Sequence, residues 1–174
     1  MNRIRMLAAA LVLVSGLALA AAPTLQVSKS VTIHAPAATV WAKVRDFGGL
    51  NTWHPAVATD DIVAGTDHHP GAERKLTLGN GGWVHEKLLS FDDAHRRFGY
   101  TILGGVLPVS DYHSTLHVVA IGKDTSKVTW SGTFKRKDTG DHPAADADDE
   151  TATTAIAGVY QSGLDNLKKI LEAR

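Results

Sequence analysis

The sequence predicts an α+β domain, in which a curved antiparallel sheet of about seven strands wraps around one long C-terminal helix, with two short helices after the first strand. Three observations carry this reading. Alternating apolar and polar segments recur from Leu25 to Lys135, separated by turns rich in glycine and aspartate. The alternation breaks once, after Pro36, where apolar residues fall at helical spacing. From 150 to 173 a single apolar stripe runs at a period of 3.6.

The elements follow in order. Leu25–Ile33 places Val27, Val31 and Ile33 on one strand face and Ser28, Ser30 and Thr32 on the other. Pro36 suits the first turn of a helix over 37–47, which carries Val40, Trp41 and Val44 and is expected to end at Gly48-Gly49. A second short helix over 50–54 stops at Pro55. Strands are expected over 57–63, 73–78, 83–91, 97–103, 112–121 and 127–135, with a tight glycine-rich connection at Gly79–Gly82. A polar, acidic loop over 139–149 leads into the long helix, where Asp148 and Asp149 supply the cap and a first-turn acid and Lys168 and Lys169 sit near the far end. Its expected apolar stripe is Ile156, Val159, Tyr160, Leu164, Leu167, Ile170 and Leu171.

At 174 residues the chain is long enough for one domain with a proper core. Eighteen basic residues balance eighteen acidic ones, so no electrostatic reason exists to expect nucleic acid or an anionic membrane as partner. The lack of cysteine excludes a disulfide framework, a thiolate metal site and a cysteine nucleophile. Arg3 and Arg5 precede an uncharged run to Ala22 that ends in the small-x-small pattern read by signal peptidases. Residues 1–22 are therefore read as a signal peptide cleaved after Ala20 or Ala22, with a domain over 23–174 exported to the periplasm or beyond. No membrane span is expected after cleavage, since the run is short and lacks a basic stop-transfer flank.

One helix cannot fill the concave side of so long a sheet, and the space left over would be a cavity lined by inward side chains. Alternation turns Arg74, Leu76 and Leu78 inward on one strand, then Val84 with Glu86, Tyr100 with Ile102, and Tyr112 with Ser114. Trp130 shares a face with Val128 and Phe134 and is read as cavity wall or core. Gly163, interrupting the long helix, means either room for a ligand or close packing against a strand.

Three stretches resemble the START/polyketide-cyclase-like superfamily (SRPBCC, helix-grip), which includes bacterial polyketide cyclase/dehydrase-like proteins and, more distantly, plant abscisic-acid receptors. They are Ala35–Trp41 running into Val44–Phe47 and Trp53-His54-Pro55, then Glu86–Asp93 with Arg96-Arg97 and Gly99-Tyr100, then Tyr112–Leu116 with Tyr160–Leu167. The resemblance implies the helix-grip fold and a lidded pocket faced by Glu86, Tyr100, Ile102, Tyr112 and Ser114. It also puts Gly79–Gly82 at the receptors' gate and the loop holding Leu107 and Val109 at their latch. The latch here lacks the receptors' His-Arg pair, so hormone-dependent phosphatase regulation is not implied.

Glu86 on an apolar face needs a partner, and Arg74 can supply it. That pair admits three roles: bracing the sheet, anchoring a ligand, or acid/base catalysis with Tyr100 and Tyr112 as further candidates. Ligand contacts are expected from Arg74, Leu76, Leu78, Val84, Glu86, Tyr100, Ile102, Leu107, Val109, Tyr112, Ser114 and Trp130, and from Val159 and Gly163 of the helix. Nine histidines invite a metal, yet His113 and His117 face outward and His68, His69 and His142 sit in loops. Neither a metal nor a cofactor is expected. The nucleophile elbow, phosphate loop and zinc-protease signatures are absent. The expected function is an exported binder or carrier of a small hydrophobic, aromatic or lipid-like molecule, the alternative a polyketide cyclase/dehydratase-type enzyme using the same cavity; protein partners are left open.

Overall fold

The computed structural model describes residues 22–173, so the signal-peptide reading of 1–22 falls, but for Ala22, outside the described residues. Seven antiparallel strands form one sheet: β1 Leu25–Ile33, β2 Val57–Ala64, β3 Glu73–Leu78, β4 Trp83–Asp92, β5 Arg97–Gly105, β6 Val109–Gly122 and β7 Thr125–Arg136. Their spatial order is β1-β7-β6-β5-β4-β3-β2, so β2 to β7 is a meander of neighbours. The one long-range pairing is β1 on β7, with Leu25 opposite Phe134 and Ile33 opposite Ser126. The α+β architecture expected from the periodicities is the one observed.

The concave face collects the residues that alternation turns inward. Val27, Leu76, Leu88, Phe98, Leu116, Val128 and Phe134 are all buried there. α2, Asp149–Glu172, lies across this face against β1 and β7. Asp148 caps it, its carboxylate accepting from the Thr151 N–H at 2.7 Å. Ala152, Ile156, Tyr160, Leu164 and Leu167 recur three or four residues apart and are wholly buried. Ile170, expected in that stripe, is instead 38% exposed, because one turn further on the seam runs through Leu171.

The passage from β1 to β2 also departs from expectation. α1 ends at Val44 rather than 47, and a 3₁₀ helix over Phe47–Thr52 contains Gly48-Gly49 instead of starting after them. The Asp67 carboxylate explains this, accepting the N–H groups of Phe47 and Gly48 at 3.0 and 3.1 Å and so capping the second helix from the β2–β3 loop. A Cβ at Gly48 would stand 2.9 Å from Ile62 of β2. Glycine serves here for close approach to the sheet and not as a helix terminator.

Candidate functional site

Between the sheet, α2 and the 3₁₀ helix lies a cavity of about 70 Å³. Its lining draws on almost every element: Leu50, His54, Ala56 and Val57 from the 3₁₀ helix through β2, Leu76 and Leu78 from β3, and Val84 with Glu86 from β4. Tyr100, Leu107, Tyr112, Trp130, Ile156 and Val159 complete it. Ten of these are buried, and the four that are not, Ala56, Leu78, Leu107 and Val159, mark the mouth. The wall is almost entirely apolar, and Glu86 is its one charged side chain.

Arg74 holds Glu86. Its Nε and Nη2 donate to the same oxygen, Oε2, at 2.7 and 2.6 Å. Arg74 is itself 2% exposed, lies over the Phe47 ring at 4.1 Å, and donates through Nη1 to the Phe47 carbonyl. Asp60 of β2 completes a buried triad at 3.4 Å from Nη1, while its Oδ2 accepts the Leu50 N–H at 2.8 Å. Burial pushes the Glu86 carboxyl above the usual range against the pull of Arg74. Burial likewise raises Asp60 from 3.8 to about 6, with Arg74 and the Leu50 N–H opposing it.

The Asp60 shift has a measurable sign. A carboxyl raised in the folded state contributes stability that is complete below its unfolded value and is lost as pH rises through its folded one. Lowering pH from 7 to 4 is therefore expected to favour the wild type over Asp60→Asn by about 2–3 kcal/mol, following a shift of roughly two units. Urea unfolding of both proteins across that range checks it. Parallel stability curves would refute the assignment.

Beside the triad, a hydroxyl network runs along the sheet side of the cavity, its floor, where Tyr100, Tyr112 and Trp130 line the wall. Tyr100 and Tyr112 hydroxyls lie 3.3 Å apart, Tyr112 and Tyr160 2.6 Å, and Tyr160 and Ser114 2.8 Å. Trp130 Nε1 donates to Tyr100 at 3.0 Å and to Ser114 at 3.1 Å, and the indole stacks on Tyr160 at 4.6 Å. Burial raises the Tyr100 and Tyr112 hydroxyls well above their ordinary value, so both stay protonated at neutral pH. A Cβ at Gly132 would lie 2.5 Å from the Tyr160 hydroxyl, so this glycine lets Tyr160 reach the sheet.

Of the residues expected at a ligand, Leu76, Leu78, Val84, Glu86, Tyr100, Leu107, Tyr112, Trp130 and Val159 line the cavity. Five others stand elsewhere. Arg74 is sealed behind Glu86 and under Phe47, and Ser114 is enclosed by its bonds to Tyr160, Trp130 and the Ser131 carbonyl. Val109 is buried in the core, and Ile102 packs against that core. Gly163 is a packing glycine, since a Cβ there would meet His54 at 2.6 Å and Trp130 at 3.0 Å.

Lining residues outside the expected ligand set are Leu50, His54, Ala56, Val57 and Ile156. His54 is held on both sides: Nε2–H donates to the Val159 carbonyl at 3.0 Å, and Nδ1 accepts from the Ala56 N–H at 3.2 Å. Burial lowers its pKa, and these bonds suit only the neutral ring. Asp60 was legible in principle, because counting back by two from Ile62 turns it inward. No group of three or more histidines, cysteines or carboxylates that could hold a metal occurs among the described residues.

Residues 24–172 match the family described as polyketide cyclase / dehydrase and lipid transport. The abscisic acid receptor PYL10 of Oryza sativa subsp. japonica is 32% identical over 153 residues, covering 81% of this chain and 68% of the receptor. Among solved structures, XoxI from Bacillus cereus is 28% identical with a TM-score of 0.74, covering 84% of this chain and 94% of its own. The Zhui aromatase/cyclase from Streptomyces sp. R1128 has a TM-score of 0.68 over 86% of this chain and 94% of its own, and at 16% identity it shares the fold alone.

Proposed function

This chain belongs to the polyketide cyclase / dehydrase and lipid transport family, and from that premise we propose that it is an exported binder of a small, largely apolar molecule held in the cavity between sheet and α2. The observation that carries the reading is the lining: an apolar wall with a few polar groups, His54 at the 3₁₀ helix and the others on the sheet, the usual make-up of a small-molecule site. A volume of about 70 Å³ is roughly half that of a cavity known to hold one benzene ring. The occupant is therefore compact, or it widens the mouth at Ala56, Leu78, Leu107 and Val159. Export is supported by the basic start and the small-x-small ending of the N-terminal run.

Mass spectrometry of gently purified native protein tests both parts. A co-purifying apolar compound and a mature mass beginning at Ala21 or Pro23 are expected. Protein that is always empty and gains no stability from a library of compact apolar molecules would sink the binding reading, and a retained N-terminus the export reading.

The family description also favours a second reading, a cyclase or dehydratase using the same cavity. Tyr100 and Tyr112 are held protonated, which leaves Glu86 as the one candidate base on the floor. A Glu86→Gln variant that binds normally and loses turnover would establish that reading.

A further inference from the structure

We infer that the cavity selects a neutral hydroxyl-bearing ligand, an alcohol or phenol, and rejects carboxylates. The inference rests on the binding reading above and adds the chemistry of the ligand's polar end.

It follows from the direction of the hydroxyl network. Each hydroxyl has one proton to give. At one end stands the Ser131 carbonyl, which only accepts, and Ser114 donates to it at 3.0 Å. Ser114 then has no proton for Tyr160, so Tyr160 donates to Ser114. With that proton committed, the 2.6 Å contact requires Tyr112 to donate to Tyr160. Trp130 Nε1–H, which only donates, closes the network by giving to the Tyr100 and Ser114 oxygens. The proton left over is that of Tyr100. Its only acceptor within the network is Tyr112, at 3.3 Å the longest contact in the set. A ligand atom at the cavity floor can draw it.

The second polar group of the floor is an acceptor. Both Arg74 bonds fall on Oε2 of Glu86, and Oε1 receives no bond from the described residues. Tyr100 and Glu86 both line the cavity, and the groups their internal bonds leave for a ligand are one donor, the Tyr100 O–H, and one acceptor, Glu86 Oε1. A hydroxyl satisfies both at once, accepting from Tyr100 and donating to Glu86.

A carboxylate satisfies only the first and sets its charge against that of Glu86. No lining residue offers a compensating cation: Arg74 is sealed between Glu86 and Asp60, and both ring nitrogens of His54 are bonded as the neutral form requires. Two carboxylates facing one cation leave the triad net negative when both are ionised. Like charges a few ångströms apart at low effective dielectric repel strongly enough to cost a ligand at least about 100-fold in affinity.

The test compares benzene, phenol and benzoate, and the naphthalene homologue of each, by NMR titration of the purified protein at pH 7.5, where the phenols are neutral and the acids ionised. Phenol is expected to bind at least about tenfold tighter than benzene, with the same order for 2-naphthol over naphthalene. Benzoate and 2-naphthoate are expected to bind about 100-fold more weakly than the matching phenol. Tyr100→Phe should remove most of phenol's advantage over benzene, leaving only the bond to Glu86, and Glu86→Gln, where it folds, should admit benzoate. Carboxylates binding as tightly as phenols would overturn the specificity while leaving the cavity reading intact. Hydrocarbons binding as tightly as phenols would overturn it too, and failure of all six compounds would remove the cavity reading and this inference together.

Discussion

Arg74→Met is expected to destabilise the protein by about 3–5 kcal/mol, the usual cost of removing one partner from a buried ion pair. Methionine fills much of the same volume, so the loss is electrostatic. It strands Glu86 at 4% exposure and the fully enclosed Asp60 side chain without a counter-charge. It also removes the donor to the Phe47 carbonyl at the start of the 3₁₀ helix. In a domain of this size the change corresponds to a fall in Tm of roughly 10–15 °C.

Two controls separate this cause from lost packing. The deficit should shrink as pH falls toward 4, because both carboxyls lie above their ordinary range and protonation relieves the uncompensated charge. A triple variant, Arg74→Met with Glu86→Leu and Asp60→Asn, should recover most of the stability, since replacing a whole buried charge cluster costs far less than halving it. A single variant within 1 kcal/mol of the wild type, or a deficit indifferent to pH, would show that the triad does not bear on the fold in this way.

Trp130→Ala is the second large effect, expected at about 3–5 kcal/mol for truncating a large buried aromatic. The indole is 2% exposed, stacks on Tyr160, meets the His54 ring edge-on at 6.0 Å, and supplies the N–H on which the hydroxyl network turns. Because Trp130 also lines the cavity, the space it leaves joins the existing 70 Å³. The merged void should accept indole or benzene, as apolar cavities of roughly 150 Å³ do. Indole at 100 times its Kd would restore about 2.7 kcal/mol, and the gain should exceed that seen with the wild type. Thermal melts with and without indole decide the matter, and a variant that indole leaves unmoved would mean that Trp130 is core alone.

The sheet order and the long helix were legible because period-2 and period-3.6 patterns are local properties of the chain. Leu76 beside Arg74, and Ser114 beside Tyr112, report their faces with no knowledge of what stands opposite. The pairing of Glu86 with Arg74 followed for the same reason, both residues being inward on adjacent strands and opposite each other in register. Gly48 and Gly163 misled or divided the reading. A glycine advertises a missing Cβ, and only the neighbour that fills the space, Ile62 in one case and His54 in the other, says why it is missing.

The sequence by itself determined the α+β class, the inward set on each strand and the charge that stands at the cavity wall. Tertiary structure alone decided the rest: that Asp60 joins Arg74 and Glu86, that His54 reaches α2, and that three tyrosines from two strands and a helix share one chain of hydrogen bonds. The physical reason is range. Alternation assigns a side chain to a face over a few residues, whereas the separations of 105 positions from His54 to Val159, and of 48 from Tyr112 to Tyr160, are closed only when sheet and helix pack.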